Sequence, residues 1–256
     1  SNEVPFTEEC LAREPPFSGS RFCSRPEYFE LLEYIGTNVI ELTGNHLLDY
    51  GDDAFQEMIS ILQSKNIDYF GGGSSIAEAS QSLLLTHHGN EFEFFGCNVP
   101  GPDSVFATHD QGGANPCVLD ELVLQVQNSV ENGKIPIVTF QHYEACQTNP
   151  MSAQKVDMDR LAQAGAFIVS GSQAHCPQAM RFVEDNFVHY GLGNLFFDQM
   201  WDLYRNAFLD YHVFYDGRYL GVQLLTTRLE DASQPRPMTE DERAVFLETI
   251  ISYSDW

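Results

Sequence analysis

Short apolar runs alternate with amphipathic helical segments along most of the chain, and this alternation limits the fold more than any other feature of the sequence. Strands of this pattern are predicted at residues 38–43, 67–70, 135–140 and 166–170. The helices that alternate with them are predicted at residues 24–36, from Asp52 or Asp53 to Leu62, and at residues 118–130 and 153–164. Strands connected through helices pair in parallel, so the sequence predicts an α/β protein built on a parallel sheet.

The remaining segments follow other patterns. They are predicted as a hairpin (81–86 and 91–97), a long loop (98–116), three antiparallel strands (187–190, 211–215 and 219–226) and a C-terminal helix (240–251). Turn residues separate the strands of the hairpin, whereas the long loop is rich in Gly, Pro and Asp. Because the chain contains no internal repeat, a single domain over residues 1–256 is the simplest prediction.

Acidic residues greatly outnumber basic ones. The chain has 13 Lys and Arg against 37 Asp and Glu, which gives a net charge of −24. Such a charge repels phosphate backbones and anionic lipid headgroups, which excludes nucleic acid and membrane surfaces as partners. No apolar run approaches the roughly 20 residues that a membrane span requires. The sequence begins with neither an initiator Met nor a signal peptide, so we expect a segment upstream of Ser1.

Three polar segments, each with a histidine, directly follow predicted buried strands. The segment GNH ends at His46, QHYE contains His142, and GSQAH ends at His175. The carboxyl ends of parallel strands lie at one edge of a sheet, where α/β proteins bind their ligands. Imidazole combined with a side-chain amide or carboxylate suits zinc, manganese or iron. The pattern therefore predicts that the three histidines share a metal site.

Each of these histidines taken alone is more often a loop or capping residue, so only the joint pattern favours a site. Asn45 has two interpretations, as a capping or turn residue and as an amide that faces a metal or a phosphate. Asp49, Asp52 and Asp53 are predicted to begin a helix and complement its dipole. The other histidines are placed at a solvated hairpin tip (His87 and His88), in the long loop with no role assigned (His109), and in strands as hydrogen-bonded residues (His189 and His212).

Six cysteines without a C-x-x-C pair favour disulfides over zinc-finger or redox motifs. Cys146 and Cys176 lie shortly after His142 and His175, so convergence of the two histidines would bring their sulfurs together. We predict a disulfide there, with Cys10–Cys23 and Cys97–Cys117 as further bridges. Buried thiols and a thiolate metal ligand are the alternatives. Disulfides indicate an oxidising location outside the cytoplasm.

Four motifs, in order, resemble the bacterial capsule synthesis protein CapA family, also called the poly-γ-glutamate synthesis family. Residues 44–51 (GNHLLDYG) resemble its NNHxxDYG signature. Residues 142–144 (HYE), with Pro150 at the expected distance, resemble its HWGxE segment. Residues 171–175 (GSQAH) are similar to GHHPH, and residues 190–198 (YGLGNLFFD) are similar to YSLGNFxFD. The resemblance covers the chain from Ser1 to about Asp198.

That family is similar to calcineurin-like metallophosphoesterases. The resemblance implies a two-sheet β-sandwich flanked by helices, with two metals at strand ends and its first strand absent from this chain. Asn2-Glu3 is similar to the family's NLE segment, which implies a bridging carboxylate at Glu3. The implied roles are metal ligation by Glu3, Asn45, His46, His142 and His175, catalysis by Asn45, His46 and Glu144, and substrate binding by Gln173 and Asn194.

The chain departs from the family pattern at three points. The Gly-Asp strand that would supply the first carboxylate is absent, Gln173 replaces the first histidine of GHHPH, and Tyr143-Glu144 replaces Trp-Gly. An amide is a poorer ligand than an imidazole, so we expect one metal position to be lost or weakened.

The resemblance implies a protein of capsule or poly-γ-glutamate biosynthesis, located at the cell surface or envelope. Its activity would be hydrolysis of phosphoester or polymer acyl or amide bonds in an anionic substrate, with Mn, Zn or Fe lowering the pKa of water to about 7. With its net charge of −24, the protein would hold such a substrate only through metal ions or local arginines. The alternative is a non-catalytic polymer-binding or assembly factor, favoured by Gln173 and the absent carboxylate. A Ser or Cys hydrolase is disfavoured because no G-x-S-x-G motif is present.

Overall fold

The computed structural model describes residues 1–10, 21–231 and 234–254. Its α-helices are α1 (Glu30–Tyr34), α2 (Gly51–Ser64), α3 (Ile76–Ala79), α4 (Leu119–Glu131), α5 (Ser152–Gln163) and α6 (Glu240–Ile251). Its strands are β1 (Val39–Glu41), β2 (Asp68–Phe70), β3 (Gly72–Gly73), β4 (Leu83–His87), β5 (Asn90–Asn98), β6 (Gly113–Ala114), β7 (Ile135–Gln141), β8 (Ile168–Ser172), β9 (Met180–Val183), β10 (Asn186–His189), β11 (Asn206–Tyr215), β12 (Arg218–Glu230) and β13 (Gln234–Pro237). The predicted α/β class is confirmed.

The chain divides into two compact units. The first comprises Ser1–Leu83 and Phe94–Cys117, and the second comprises Leu84–Glu93 and Val118–Trp256. The expectation of one domain over residues 1–256 stays a prediction. All three predicted disulfides are confirmed, with Cys10–Cys23 and Cys97–Cys117 in the first unit and Cys146–Cys176 in the second.

The first unit is organised around the parallel pair β1 and β2, which α2 connects. The apolar residues of α2 recur at the spacing of one helix face, and this face is buried, as predicted. The core that it joins includes Phe29, Leu42, Leu47, Phe55 and Met58. Asp52 and Asp53 lie in the first turn of α2, but the residue that precedes the helix is Tyr50, so the prediction that either aspartate caps it is wrong.

The predicted helix at residues 24–36 is shorter than expected. A 3₁₀ helix at Pro26–Phe29 leads into α1, and the backbone of Gly36 has a φ of 77° where the segment ends. Ser24 does not cap the helix, because its backbone pairs with Phe6 instead. A tertiary backbone pairing therefore overrides a local helix-start signal.

A six-stranded sheet in the order β4-β5-β7-β8-β10-β9 is the frame of the second unit, to which β5 contributes residues 90–93. Strands β7, β8 and β10 are parallel neighbours. The prediction of an antiparallel strand at residues 187–190 is correct only in part, because β10 pairs in parallel with β8 and antiparallel with β9. The sequence prediction omitted β9, a strand of four residues whose burial does not alternate.

A second sheet of the same unit has the order β11-β12-β13. In its main hairpin, β11 begins before the predicted strand at residues 211–215 and ends with it, whereas β12 extends beyond the predicted strand at residues 219–226 at both ends. Helix α6 begins with a capping box between Thr239 and Glu242 and packs through Phe246 and Ile250 against Phe208 of β11. In the described residues, no helix combines the length and apolar character needed to cross a membrane.

We expect the stability of the protein to fall on acidification because of His212, a half-buried residue of β11. Burial lowers the pKa of this imidazole from 6.5 to about 4, which outweighs the opposing effect of Asp210. Below pH 6.5 the unfolded chain binds a proton at this position that the folded chain does not bind, so the free energy of unfolding decreases as the pH falls toward 4. This group should contribute a loss of about 2 kcal/mol between pH 7 and pH 5.

Urea denaturation of the protein and of His212→Gln at both pH values measures this contribution. The glutamine variant should lose about 2 kcal/mol less than the parent over this interval. His109→Gln is the matched control, because His109 is 95% exposed and its removal should not alter the pH dependence. Equal pH dependence of the His212→Gln variant and the parent would contradict the prediction.

Candidate functional site

His46 lies in the first unit, in the turn between β1 and α2. Its Nδ1 lies 2.8 Å from Oδ2 of Asp49, and both side chains are about four-fifths buried, with exposed fractions of 21% and 17%. A carboxylate only accepts hydrogen bonds, so Nδ1 carries the proton and Nε2 keeps the lone pair of the neutral ring. The prediction that Asp49 only begins a helix is wrong, because Asp49 orients His46.

Gly44 brings the N-terminal residues beside this turn. A Cβ at Gly44 would lie 2.5 Å from the Cα and 2.6 Å from the carbonyl oxygen of Glu3, so only glycine fits this approach. The backbone N–H of Asn2 donates to the carbonyl oxygen of Glu41, at the end of β1. Glu3 and the GNH segment, which were predicted to contribute to one site, are thus adjacent in the first unit.

Asn98 supports the same segment from the end of β5. Its amide nitrogen donates to the carbonyl oxygen of Thr43 at 2.7 Å, and its Oδ1 accepts from the N–H of Gly101 at 2.8 Å. The residue is fully buried. The sequence prediction placed Asn98 in a long loop and gave it no role, because its partner Thr43 is 55 residues away along the chain.

His142 lies in the second unit, directly after β7, and is fully buried. Its Nε2 lies 3.0 Å from Oδ2 of Asp157 on α5, so this nitrogen carries the proton. Its Nδ1 is also buried and has no hydrogen-bond partner in the described part of the chain. A histidine that donates one N–H to a carboxylate and presents the other nitrogen is typical of metal ligation.

His175 follows β8 in the same unit. Its Nδ1 lies 3.0 Å from Oδ1 of Asn194, whose amide nitrogen donates to the Oε1 of Gln199 at 3.1 Å. Because the amide oxygen accepts, Nδ1 carries the proton and Nε2 keeps the lone pair. Gln173 and His175 have φ values of 79° and 57°, in the left-handed region that is costly for side-chain-bearing residues.

The segments that carry His142 and His175 are joined by the Cys146–Cys176 disulfide. The buried amide of Gln178 also bonds to the first of these segments, donating to the carbonyl oxygens of Ala145 and Gln147. Gln178 in turn accepts from Gln154 of α5 at 2.8 Å. The disulfide and the hydrogen bonds of Gln178 therefore hold the two loops of the second unit together. Glu144 is exposed on the first of them.

The donor chemistry of these histidines fits a divalent metal. Among the described residues, His142 in the second unit has a buried Nδ1 without a hydrogen-bond partner. In the tautomers set by Asn194 and Asp49, the nitrogen that carries the lone pair is Nε2 in both His175 and His46. Within the described residues, no group of three or more His, Cys, Asp or Glu side chains is arranged to hold a metal ion. The expectation that all three histidines share one site stays a prediction.

The structure defines an α/β protein with carboxylate- or amide-oriented histidines in the loops that follow parallel strands. The family model described as "Bacterial capsule synthesis protein PGA_cap" matches residues 3–199. The chain belongs to this family, which confirms the resemblance seen in the sequence.

Curated relatives carry corresponding names. The chain is 24% identical over 221 residues to "Capsule biosynthesis protein CapA" of Bacillus anthracis, covering 84% of this chain and 53% of the relative. It is 22% identical over 189 residues to "PGA biosynthesis protein CapA" of Bacillus subtilis, covering 73% and 50%. It is 25% identical over 182 residues to a "Probable polyglutamine synthesis accessory protein" of Mycobacterium tuberculosis, covering 66% and 48%. The chain spans about half the length of these relatives.

Similar solved structures include a 5'-nucleotidase precursor from Thermus thermophilus, with 13% identity and a TM-score of 0.49 over 89% of this chain and 44% of that chain. The NAD nucleotidase NadN of Haemophilus influenzae has 10% identity and a TM-score of 0.48 over 91% and 46%.

Proposed function

We propose that this protein is an envelope-located hydrolase that uses a divalent metal to cleave phosphoester or acyl bonds in an anionic capsule or polyglutamate polymer. The observation that carries the proposal is His142. A buried imidazole nitrogen without a hydrogen-bond partner is costly unless a ligand satisfies it, and its other nitrogen is fixed by Asp157. The names of the curated relatives support the polymer class.

In this proposal His142 and His175 hold the ion through Nδ1 and Nε2, and manganese, zinc and iron are suited to such ligands. When bound, the metal supplies Lewis acidity and lowers the pKa of water toward about 7. Asp157 and Asn194 fix the tautomers of the two rings. In the first unit, Asp49 keeps the proton of His46 on Nδ1, so Nε2 is the atom that accepts a proton or, when protonated, donates one to a leaving oxygen.

Three disulfides support a location outside the cytoplasm. The net charge of −24 opposes the binding of an anionic polymer, so the bound metal and local arginines would have to supply the attraction. The proposal also includes the roles that the family resemblance implies, which are metal ligation by Glu3 and Asn45 and catalysis by Asn45 and Glu144.

A non-catalytic polymer-binding factor is the second candidate. Gln173 favours it, because an amide occupies the position of a family histidine, and its backbone is held at a φ of 79°. A protein that keeps this left-handed turn but has an amide in place of one of the family's metal ligands would be suited to binding a polymer rather than to hydrolysing it.

Metal analysis and a turnover assay distinguish the two candidates. The purified protein is loaded with Mn²⁺ or Zn²⁺, dialysed and analysed by inductively coupled plasma mass spectrometry, and then assayed with bis(p-nitrophenyl) phosphate. We expect at least one tightly held ion per chain and metal-dependent hydrolysis. Binding of poly-γ-glutamate without tightly held metal or turnover would support the binding factor and refute the hydrolase.

A further inference from the structure

Residues 21–24 run from the Cys10–Cys23 disulfide to the His46–Asp49 pair of the first unit. We propose that Arg21 and Phe22, held in place by that disulfide, are positioning residues that fix the tautomer and orientation of His46. The catalytic part of this inference rests on the proposed function, whereas the structural part does not.

The first contact is with the carboxylate that orients His46. The backbone N–H of Phe22 donates to Oδ2 of Asp49 at 2.7 Å, and this is the same oxygen that accepts from His46 Nδ1 at 2.8 Å. The side chain of Arg21 donates from Nε to the backbone carbonyl oxygen of Asp49 at 2.6 Å. Both the backbone and the carboxylate of Asp49 are thereby tied to one short segment, which restricts rotation of the carboxylate.

The second contact is with the rings around the pair. The Phe22 ring and the His46 imidazole pack edge to face, with centroids 4.7 Å apart and planes at 79°. The guanidinium of Arg21 lies 4.7 Å from the centroid of the Tyr50 ring, directly after Asp49 in the chain. Edge-to-face packing and the Asp49 hydrogen bond together restrict the orientation of the imidazole.

The segment is anchored at its other end. Cys23 is bonded to Cys10, and Ser24 exchanges backbone hydrogen bonds with Pro5 and Thr7 at 2.9 Å each. Thr7 in turn donates from its hydroxyl to Oε2 of Glu57 on α2 at 2.6 Å. The disulfide is the covalent part of this anchor, and its removal increases the conformational freedom of residues 21–23.

A core-packing role explains Phe22 poorly, because the side chain is 44% exposed. An exposed aromatic residue contributes little buried area to stability, yet this one covers the imidazole and supplies the N–H that fixes its partner. The arrangement instead resembles the outer-shell hydrogen bonding that sets the tautomer of functional histidines.

The test compares two double variants of the same unit. Cys10→Ser/Cys23→Ser removes the proposed anchor, and Cys97→Ser/Cys117→Ser, the matched control, removes a different disulfide. Phe22→Ala keeps both disulfides and removes only the ring contact. Imidazole ¹⁵N shifts of ¹⁵N-histidine-labelled protein, with the His46 signals assigned from a His46→Asn sample, report the tautomer. Hydrolysis of bis(p-nitrophenyl) phosphate by metal-loaded protein gives kcat and KM.

In the parent, His46 should have its proton on Nδ1. In Cys10→Ser/Cys23→Ser the Nδ1–H population should fall toward that of a free imidazole. In Phe22→Ala, which keeps the backbone N–H that bonds to Asp49, it should fall less, and in both variants kcat should fall about 10-fold at unchanged KM. The control double variant should change neither. If the first double variant does not fold, Phe22→Ala decides.

An unchanged His46 tautomer in the variants would overturn the inference. A changed tautomer with unchanged kcat would overturn the positioning role in catalysis. If the parent itself shows no hydrolysis with any metal, the proposed function fails, while the ¹⁵N measurement still decides whether residues 21–23 position His46.

Discussion

Replacing His142 with alanine is expected to abolish tight binding of Mn²⁺ or Zn²⁺ and to lower turnover of bis(p-nitrophenyl) phosphate by at least about 100-fold. The variant removes a buried nitrogen that has no hydrogen-bond partner in the described residues and leaves Asp157 without its own partner. Mass spectrometric metal content, steady-state kinetics and the shift in unfolding temperature on metal addition measure the effect. The parent should be stabilised by the metal, because a ligand that binds only the folded state raises its stability.

Asp157→Asn is a second variant, which is expected to have a smaller effect on metal binding than His142→Ala. An asparagine still accepts the hydrogen bond from His142 but carries no negative charge, so metal affinity should fall about 10-fold rather than being abolished. His109→Ala, at a side chain that is 95% exposed, is the matched histidine control and should behave as the parent does. Parent-like metal affinity in His142→Ala would rule out His142 as a ligand.

The features that were predictable from the sequence depend on local pattern. The apolar runs of β7 and β8 locate two parallel strands, and the polar residues that follow them locate His142 and His175. The cysteines next to these histidines then led to the Cys146–Cys176 pairing, which is present. Each inference used residues within a few positions of one another and one general rule about parallel sheets.

The features that were missed depend on tertiary pairing. Asp157 looks like any exposed helix residue, and only the packing of α5 shows that it bonds to His142. An acidic residue such as Asp49 just before a helix commonly stabilises the start of that helix. Here its carboxylate instead accepts hydrogen bonds from His46 Nδ1 and from the backbone N–H of Phe22. Strand β9 is too short to show a periodic pattern, and its pairing with β10 specifies it. In each case the missing information is the identity of a specific partner, which the local pattern of residue types does not reveal even when that partner is near in the chain.

Gly44→Ala is expected to destabilise the protein by about 3 kcal/mol, at the upper end of overpacking costs. The added Cβ would lie 2.5 Å from Glu3 Cα, 2.6 Å from the Glu3 carbonyl oxygen and 2.8 Å from that of Asn2. These are backbone atoms, which cannot move aside as a flexible side chain can, so the N-terminal residues must shift away from the GNH segment. The hydrogen bond from the Asn2 N–H to Glu41 should weaken with this shift. Urea denaturation at neutral pH measures the change in the free energy of unfolding.

Gly36→Ala is the matched comparison for this glycine, since it lies in the same unit with open space around its missing Cβ. Its φ of 77° imposes a conformational cost of about 1 kcal/mol on alanine without any steric contact. The difference between the two variants therefore isolates the close approach of Glu3 to Gly44. If Gly44→Ala costs no more than Gly36→Ala, the N-terminal residues do not pack against this turn. The predicted place of Glu3 in the site would then be lost, while His46 and Asp49 would keep theirs.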